Sequence, residues 1–165
     1  MTKNNIVNIE RTKPGLGTTR RFIVLIRDCV DVACACLGIE FPVEINIRLT
    51  DDEDIHKINM EQRGVDRPTD VLSFPTLDWV DGVGEEPDDS DVDFDTGAVF
   101  IGDMVLSLER CRAQAEEYGH SFRRECAYLT VHSVLHMFGY DHLDEGKRKR
   151  MMRELEEYIL QYIEV

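Results

Sequence analysis

The sequence has none of the features that mark membrane-spanning, secreted or fibrous proteins. Its 165 residues contain no internal repeat, no low-complexity tract and no apolar run near the ~20 residues that a membrane helix needs. Residues 1–14 are polar and lack the apolar segment of a signal peptide. Because a chain of this length can bury one core, we expect a single cytoplasmic domain over residues 1–165, without a membrane partner.

Cysteine is present but is not arranged for disulfides or for a metal site. The five cysteines are odd in number, and three lie in apolar helical stretches, where Cys behaves as a small hydrophobic residue. Cys34 and Cys36 have no matching second pair. A cysteine-based metal or redox site is therefore the weaker interpretation.

Positive charge is scarce, because the formal net charge of -14 leaves acidic residues in large excess. Such a balance argues against a nucleic-acid partner. The distribution is uneven, however: residues 78–96 hold nine acidic side chains and no basic one, and we expect an acidic loop insertion there. Basic residues cluster near the C-terminus, at Lys147, Arg148, Lys149, Arg150 and Arg153. Net charge therefore does not exclude an RNA substrate.

The hydrophobic periodicity predicts three strands and five helices after a flexible arm over residues 1–18. Capping residues and glycines place the helix ends. The predicted strands are 43–49, 70–74 and 98–105, and the predicted helices are 20–37, 50–60, 107–118, 121–138 and one opening at Asp144. This order favours a single α+β or α/β domain.

Three histidines near the C-terminus have the spacing of metal ligands. His132 and His136 lie four residues apart on a predicted helix, so their imidazoles share one face. Gly139 can adopt a positive φ and turn the chain, which would return His142 as a third ligand. The segment from Cys126 to Phe138 holds no formally charged residue, so the helix is expected to be buried.

The absence of an obvious fourth ligand in this segment is typical of a catalytic zinc site, where water occupies the open position. One zinc ion per chain is the predicted cofactor, although the spacing also fits nickel, iron or manganese. His56 and His120 have no neighbouring histidines at metal-ligand spacing and are expected to be surface or capping residues.

The spacing of the histidines matches metzincin proteases, but the protease base is missing. Those enzymes carry Glu directly after the first histidine, whereas this chain has Ser133, a poor base near neutral pH. A phosphodiester substrate would instead require positive charge beside the metal. Arg63, at the end of a predicted helix, is a candidate, although a surface salt bridge is an equally good interpretation of it.

Longer motifs resemble the YbeY family of single-strand-specific endoribonucleases, which act in bacterial ribosomal RNA maturation and ribosome quality control. The similarity covers roughly residues 45–146. It is carried by Asp66-Arg-Pro-Thr-Asp-Val-Leu-Ser-Phe-Pro75, Gly102-Asp-Met-Val-Leu-Ser107, Gly119-His-Ser-Phe-Arg-Arg-Glu125 and Leu129-Thr-Val-His-Ser-Val-Leu-His-Met-Phe-Gly-Tyr-Asp-His142.

The resemblance implies an α+β fold, a small mixed sheet packed with about five helices, with the metal at the end of a cleft. It implies His132, His136 and His142 as zinc ligands on and after a buried helix, and Arg63 as the catalytic arginine. The implied substrate is single-stranded rRNA, in particular the 3′ end of 16S rRNA, and the implied partner is the ribosome or its proteins.

Alternatives remain at this point. A ribosome-assembly factor with a mainly structural metal and another metallohydrolase compete with the nuclease. The acidic loop could steer a basic ribosomal partner, but an inert solvated loop is the preferred interpretation. The basic cluster of the last helix fits RNA phosphates and a solvated helix face equally well.

Overall fold

The computed structural model describes residues 4–141 and 146–165, which form one α+β domain with a four-stranded mixed sheet. The strand order is β1-β2-β4-β3; β1 and β4 run parallel to β2, and β3 is antiparallel to β4. The strands are β1 (Ile6–Arg11), β2 (Val43–Thr50), β3 (Val71–Pro75) and β4 (Val99–Ser107). The helices are α1 (Arg20–Cys36), α2 (Asp52–Arg63), α3 (Leu108–Tyr118), α4 (Phe122–Met137) and α5 (Lys147–Leu160). The predicted α+β class, mixed sheet and five helices are confirmed.

The N-terminal segment is more ordered than the sequence suggested. The expectation of a flexible arm over residues 1–18 is wrong for residues 6–11, which pair with β2 in the register Val7↔Ile45. Three β-branched residues in four positions favour a strand there, but the run is too short for its period to be distinctive. Beyond β1, Leu16 is buried and its carbonyl accepts a hydrogen bond from Arg112.

Capping side chains fix the helix starts. Ser107 and Ser121 accept hydrogen bonds from the backbone N–H groups of Arg110 and Arg124, as predicted. The cap of α2 is Asp51 rather than Thr50, because its carboxylate accepts the hydrogen bond from the N–H of Asp54.

The two faces of the sheet differ in what covers them. On one face Val43, Ile45, Ile47 and Leu49 are buried with α1 and α4 in the main core, which confirms the predicted alternation in β2. The opposite face carries polar side chains and is covered near β3 and β4 by α2, through Ile55. Among the described helices, none is long and apolar enough to cross a membrane.

The acidic segment over residues 78–96 is a loop, as predicted, but its start is packed. The Trp79 ring lies edge-on to Phe138, with ring centroids 5.5 Å apart. The N–H groups of Asp81 and Gly82 donate to the carbonyls of Gly139 and Phe138. The expectation that this segment is too charged to pack is therefore wrong for its first residues, where Trp79 supplies the apolar surface.

Candidate active site

After its first turn, helix α4 is buried on every side except one narrow strip. Between Glu125 and Met137, the residues that are not buried are Tyr128, His132 and His136. Their spacing of four places them on one face of the helix, one turn apart. The predicted burial of α4 is thus observed, and the two candidate ligands lie where the helix is open.

The imidazoles of His132 and His136 converge through their Nε2 atoms, which lie 3.0 Å apart. His136 Nδ1 is 2.8 Å from the carbonyl oxygen of Tyr140. Because a carbonyl can only accept, Nδ1 carries the hydrogen and Nε2 presents its lone pair. Gly139 makes this contact possible, since its φ of +84° turns the chain back over the end of the helix.

Glu156 of α5 fixes the other imidazole. Its Oε1 atom lies 2.6 Å from His132 Nδ1, and the residue is only 2 % exposed. Burial and the negative charge of Glu156 both raise the pKa of the neighbouring Tyr128 hydroxyl, which therefore remains protonated. A carboxylate that accepts from Nδ1 leaves the lone pair of His132 on Nε2, facing His136.

Glu156 is a site residue that the sequence motifs did not indicate, although a signal for it exists. Its neighbours at helical spacing, Met152, Ile159 and Leu160, are buried, so Glu156 is an acid on the apolar face of α5. A carboxylate in such a position requires a hydrogen-bonding partner. Here the partner is His132, the first candidate ligand.

The donor set fits a zinc ion. Two imidazole lone pairs at 3.0 Å would repel unless a cation or a shared proton lies between them, and zinc accepts imidazole nitrogens at ~2.0–2.1 Å. His142, the predicted third ligand, lies outside the described residues. Within residues 4–141 and 146–165, no third His, Cys, Asp or Glu completes a group of three potential ligands.

Arg63 is the last residue of α2 and reaches across to β3. Its Nη2 atom donates to the carbonyl of Ser73 at 3.0 Å, and its guanidinium carbon lies 5.6 Å from the centroid of the Phe74 ring. Arg63 forms no ion pair with any residue that the structure describes, so the surface salt bridge considered above is not seen. It also makes no hydrogen bond to His132 or His136.

A buried pair of serines joins β3 to α4 beside the histidines. Ser73 Oγ and Ser133 Oγ are 2.7 Å apart, and Ser133 is fully buried. The chain of contacts from Arg63 through Ser73 to Ser133 ends next to His132. Because the Ser133 hydroxyl is engaged in this buried hydrogen bond, it is not available as a catalytic base.

His56 and His120 lie apart from the converging pair. His56 is partly exposed and hydrogen-bonds to Asp66 at 2.7 Å. His120, expected at the surface, bonds through Nε2 to Glu125, a carboxylate that is 1 % exposed and also accepts from Gln114. This second buried carboxylate was not anticipated from the sequence either.

Comparison with known proteins gives the same family as the sequence motifs. Residues 7–164 match the family described as Endoribonuclease YbeY. The chain belongs to this family. The Endoribonuclease YbeY of Clostridium acetobutylicum is 49 % identical over 146 residues, covering 85 % of this chain and 87 % of that one. The Endoribonuclease YbeY of Clostridium botulinum strain Alaska E43 is 47 % identical over 165 residues, covering 97 % and 99 %.

The fold has also been seen before. The solution structure of TM1509 from Thermotoga maritima superposes with a TM-score of 0.56 at 21 % identity, covering 95 % of this chain and 91 % of that one. At this identity the likeness concerns the fold alone. The predicted YbeY membership and the predicted enzyme class, a hydrolase acting on RNA phosphodiester bonds, are confirmed by the family match. The roles of His132, His136, His142 and Arg63 stay predictions.

Proposed function

We propose that this YbeY family member is a zinc-dependent endoribonuclease specific for single-stranded RNA. The observation that carries the proposal is the convergence of His132 and His136, each with Nδ1 held by an acceptor and Nε2 directed at the other. His132 and His136 would hold the zinc ion, together with His142 from outside the described residues. When bound, zinc would supply a Lewis acid that activates the nucleophile and offsets negative charge on the phosphate.

Arg63 is proposed to contact the phosphate during cleavage. One of its five N–H groups is used on the carbonyl of Ser73, which fixes the position of the guanidinium while the others stay available for phosphate oxygens. The absence of an ion pair with a described carboxylate leaves its full charge for the substrate. Extra negative charge on the phosphorus oxygens in the transition state would strengthen this contact, which is the condition for catalysis.

The proposed substrate is ribosomal RNA, with maturation of the 3′ end of 16S rRNA and ribosome quality control as the processes served in the cytoplasm. The family motifs and the name of the relatives support an RNA substrate. The ribosome or its proteins would be the partner, since the substrate is presented there.

The test combines metal analysis with cleavage of labelled single-stranded and duplex RNA. The metal-loaded protein should cleave the single strand preferentially, and chelation should abolish cleavage until zinc is restored. Arg63→Ala should reduce kcat by ~10²–10³-fold, as expected for loss of one group that stabilises the transition state. Arg27→Ala, which removes an exposed arginine of α1, is the matched control and should cleave like the native protein.

Circular dichroism of the chelated protein separates catalysis from a structural role of the metal. Retention of the fold with loss of cleavage supports the nuclease. Unfolding on chelation, or equal cleavage by Arg63→Ala and Arg27→Ala, would argue against it.

A further inference from the structure

The open strip of α4 continues beyond the histidines into a groove. Tyr128 and His132 line a cavity of about 240 Å³ with Lys149, Met152, Arg153 and Glu156 of α5. Tyr128 and Arg153 also line a second cavity of about 530 Å³, which extends to Tyr118, His120 and Arg124. Because these two residues line both cavities, the cavities adjoin along α4, and together they are called here the α4 groove.

Two arginines give this groove a positive wall. Arg124 and Arg153 are exposed, and neither forms an ion pair or a side-chain hydrogen bond with another residue in the described part of the chain. Acidic groups are present too, but Glu125 is buried and engaged by Gln114 and His120, so Asp70 and Glu157 are the accessible ones.

The basic residues at the start of α5 do not stabilise the helix itself. Helix α5 opens with Lys147, Arg148, Lys149 and Arg150 in its first turn and has no side-chain cap. Cations at a helix N-terminus oppose the helix dipole. Arg148 is held by Asp81 at 3.0 Å, but Arg153 one turn further has no such partner and faces the groove.

Aromatic rings occupy the groove as well. Tyr128 is half-buried and stacks on His132, with ring centroids 6.1 Å apart. At the far end Tyr118 is 60 % exposed and lies beside the ring of His120, 6.0 Å away. A positive groove that also presents exposed aromatic rings is the arrangement that binds single-stranded nucleic acid, with phosphates on the cations and bases on the rings.

We propose that the α4 groove is a binding subsite for the RNA strand next to the cleaved bond, with phosphates on Arg153 and Arg124 and a base stacked on Tyr118. With a rise of ~1.5 Å per residue, Arg124 lies about 12 Å along the helix from His132. His132 lines the nearer cavity, and Tyr128 and Arg153 join that cavity to the one that holds Arg124. This proposal rests on the proposed function, because it assigns the path of that substrate.

Fluorescence anisotropy with a single-stranded oligoribonucleotide tests the groove, with a gel after each titration to verify that the RNA is intact. The double variant Arg124→Ala/Arg153→Ala should bind more weakly. The slope of log K against log salt concentration should fall by about 1.4, since each phosphate contact to a single strand contributes ~0.7. Tyr118→Ala should bind about tenfold more weakly at an unchanged slope, as expected for loss of one stacked base.

An abasic oligonucleotide series makes the test specific. At one position of the oligonucleotide, removal of the base should weaken binding to the native protein by the same factor as the Tyr118→Ala substitution. The same removal should not weaken binding to Tyr118→Ala any further. Arg27→Ala again serves as the control for loss of one exposed arginine. If the groove variants bind RNA like Arg27→Ala while the native protein cleaves RNA, the groove proposal is wrong and the nuclease stands. If the groove variants lose binding but the native protein cleaves no RNA, the groove binds RNA and the nuclease proposal is wrong.

Discussion

Replacing Glu156 with glutamine should weaken zinc binding although Glu156 is not a proposed ligand. In the native protein this carboxylate lies 2.6 Å from His132 Nδ1 and is almost completely buried. Glutamine keeps an oxygen of similar size but loses the negative charge that makes the imidazole a stronger donor to a metal. Its amide can also rotate and place an NH2 group against Nδ1, which would favour the wrong tautomer.

The expected magnitude follows from the position of this contact. Loss of the partner that orients a metal-bound imidazole typically weakens metal affinity by ~10–100-fold. That range corresponds to roughly 1.4–2.8 kcal/mol at ~1.4 kcal/mol per factor of ten. Glu156 is the one carboxylate among the described residues that contacts either histidine, and its burial limits replacement by water, so we expect a value in the upper half of this range.

The assay is competition for zinc against a chromophoric chelator, which reports affinity without depending on RNA cleavage. Glu154→Gln removes an exposed carboxylate from the same helix and should bind zinc like the native protein. A thermal melt of each metal-free variant shows whether the fold is retained. Equal zinc affinities for Glu156→Gln and Glu154→Gln, with both variants folded, would refute the role assigned to Glu156.

Three further predictions concern the supports of the site. Ser133→Ala leaves the hydroxyl of Ser73 buried without its partner and should lower the unfolding free energy by ~1–3 kcal/mol, measured by urea denaturation. The double variant Ser73→Ala/Ser133→Ala should be destabilised by less than the sum of the two single changes. Gly139→Ala should lower the unfolding free energy by more than about 1 kcal/mol, because φ is +84° and a Cβ would lie 1.9 Å from the carbonyl oxygen of Trp79; near-native stability would contradict the turn described here. Between pH 5 and pH 2, Asp51→Asn should lose less unfolding free energy than the native protein, as measured by urea denaturation. Lys13 holds the pKa of Asp51 below its usual value of ~3.9. The stability that Asp51 contributes is therefore present above pH ~3.9 and is lost as the pH falls through the lowered pKa of the folded state.

The elements that the sequence predicted well are those with local signals. The strand over 43–49 shows strict alternation, and α3 and α4 begin at serine caps, so the pattern and the structure agree. The strand β1 was missed because its evidence is not local: the six residues are stabilised by pairing with β2, from which 31 residues separate them. The cap of α2 was displaced by one residue because Thr50 and Asp51 are both good caps and only the geometry distinguishes them.

The candidate site was predictable to the extent that its residues lie on one helix. The spacing of His132 and His136 could be converted into geometry because α-helical periodicity is fixed. Glu156 could not be placed in the same way, since its position beside Tyr128 and His132 depends on how α5 packs on α4. Arg63 is an intermediate case: the motif pointed to it, but its attachment to the carbonyl of Ser73 depends on the pairing of β3 in the sheet.

The structure argues against a peptidase more strongly than the chemistry of Ser133 alone does. From the sequence, Ser133 argued against a protease because a hydroxyl is a poor base near neutral pH. In the structure Ser133 is fully buried, and its bond to Ser73 closes the contact between α4 and β3 at the position where a protease would place its glutamate. A glutamate at position 133 would have to displace β3 and bury an unpaired charge, at a cost of several kcal/mol. The same strand holds Arg63 through Ser73, so the packing that excludes the protease base also positions the proposed phosphate-binding arginine.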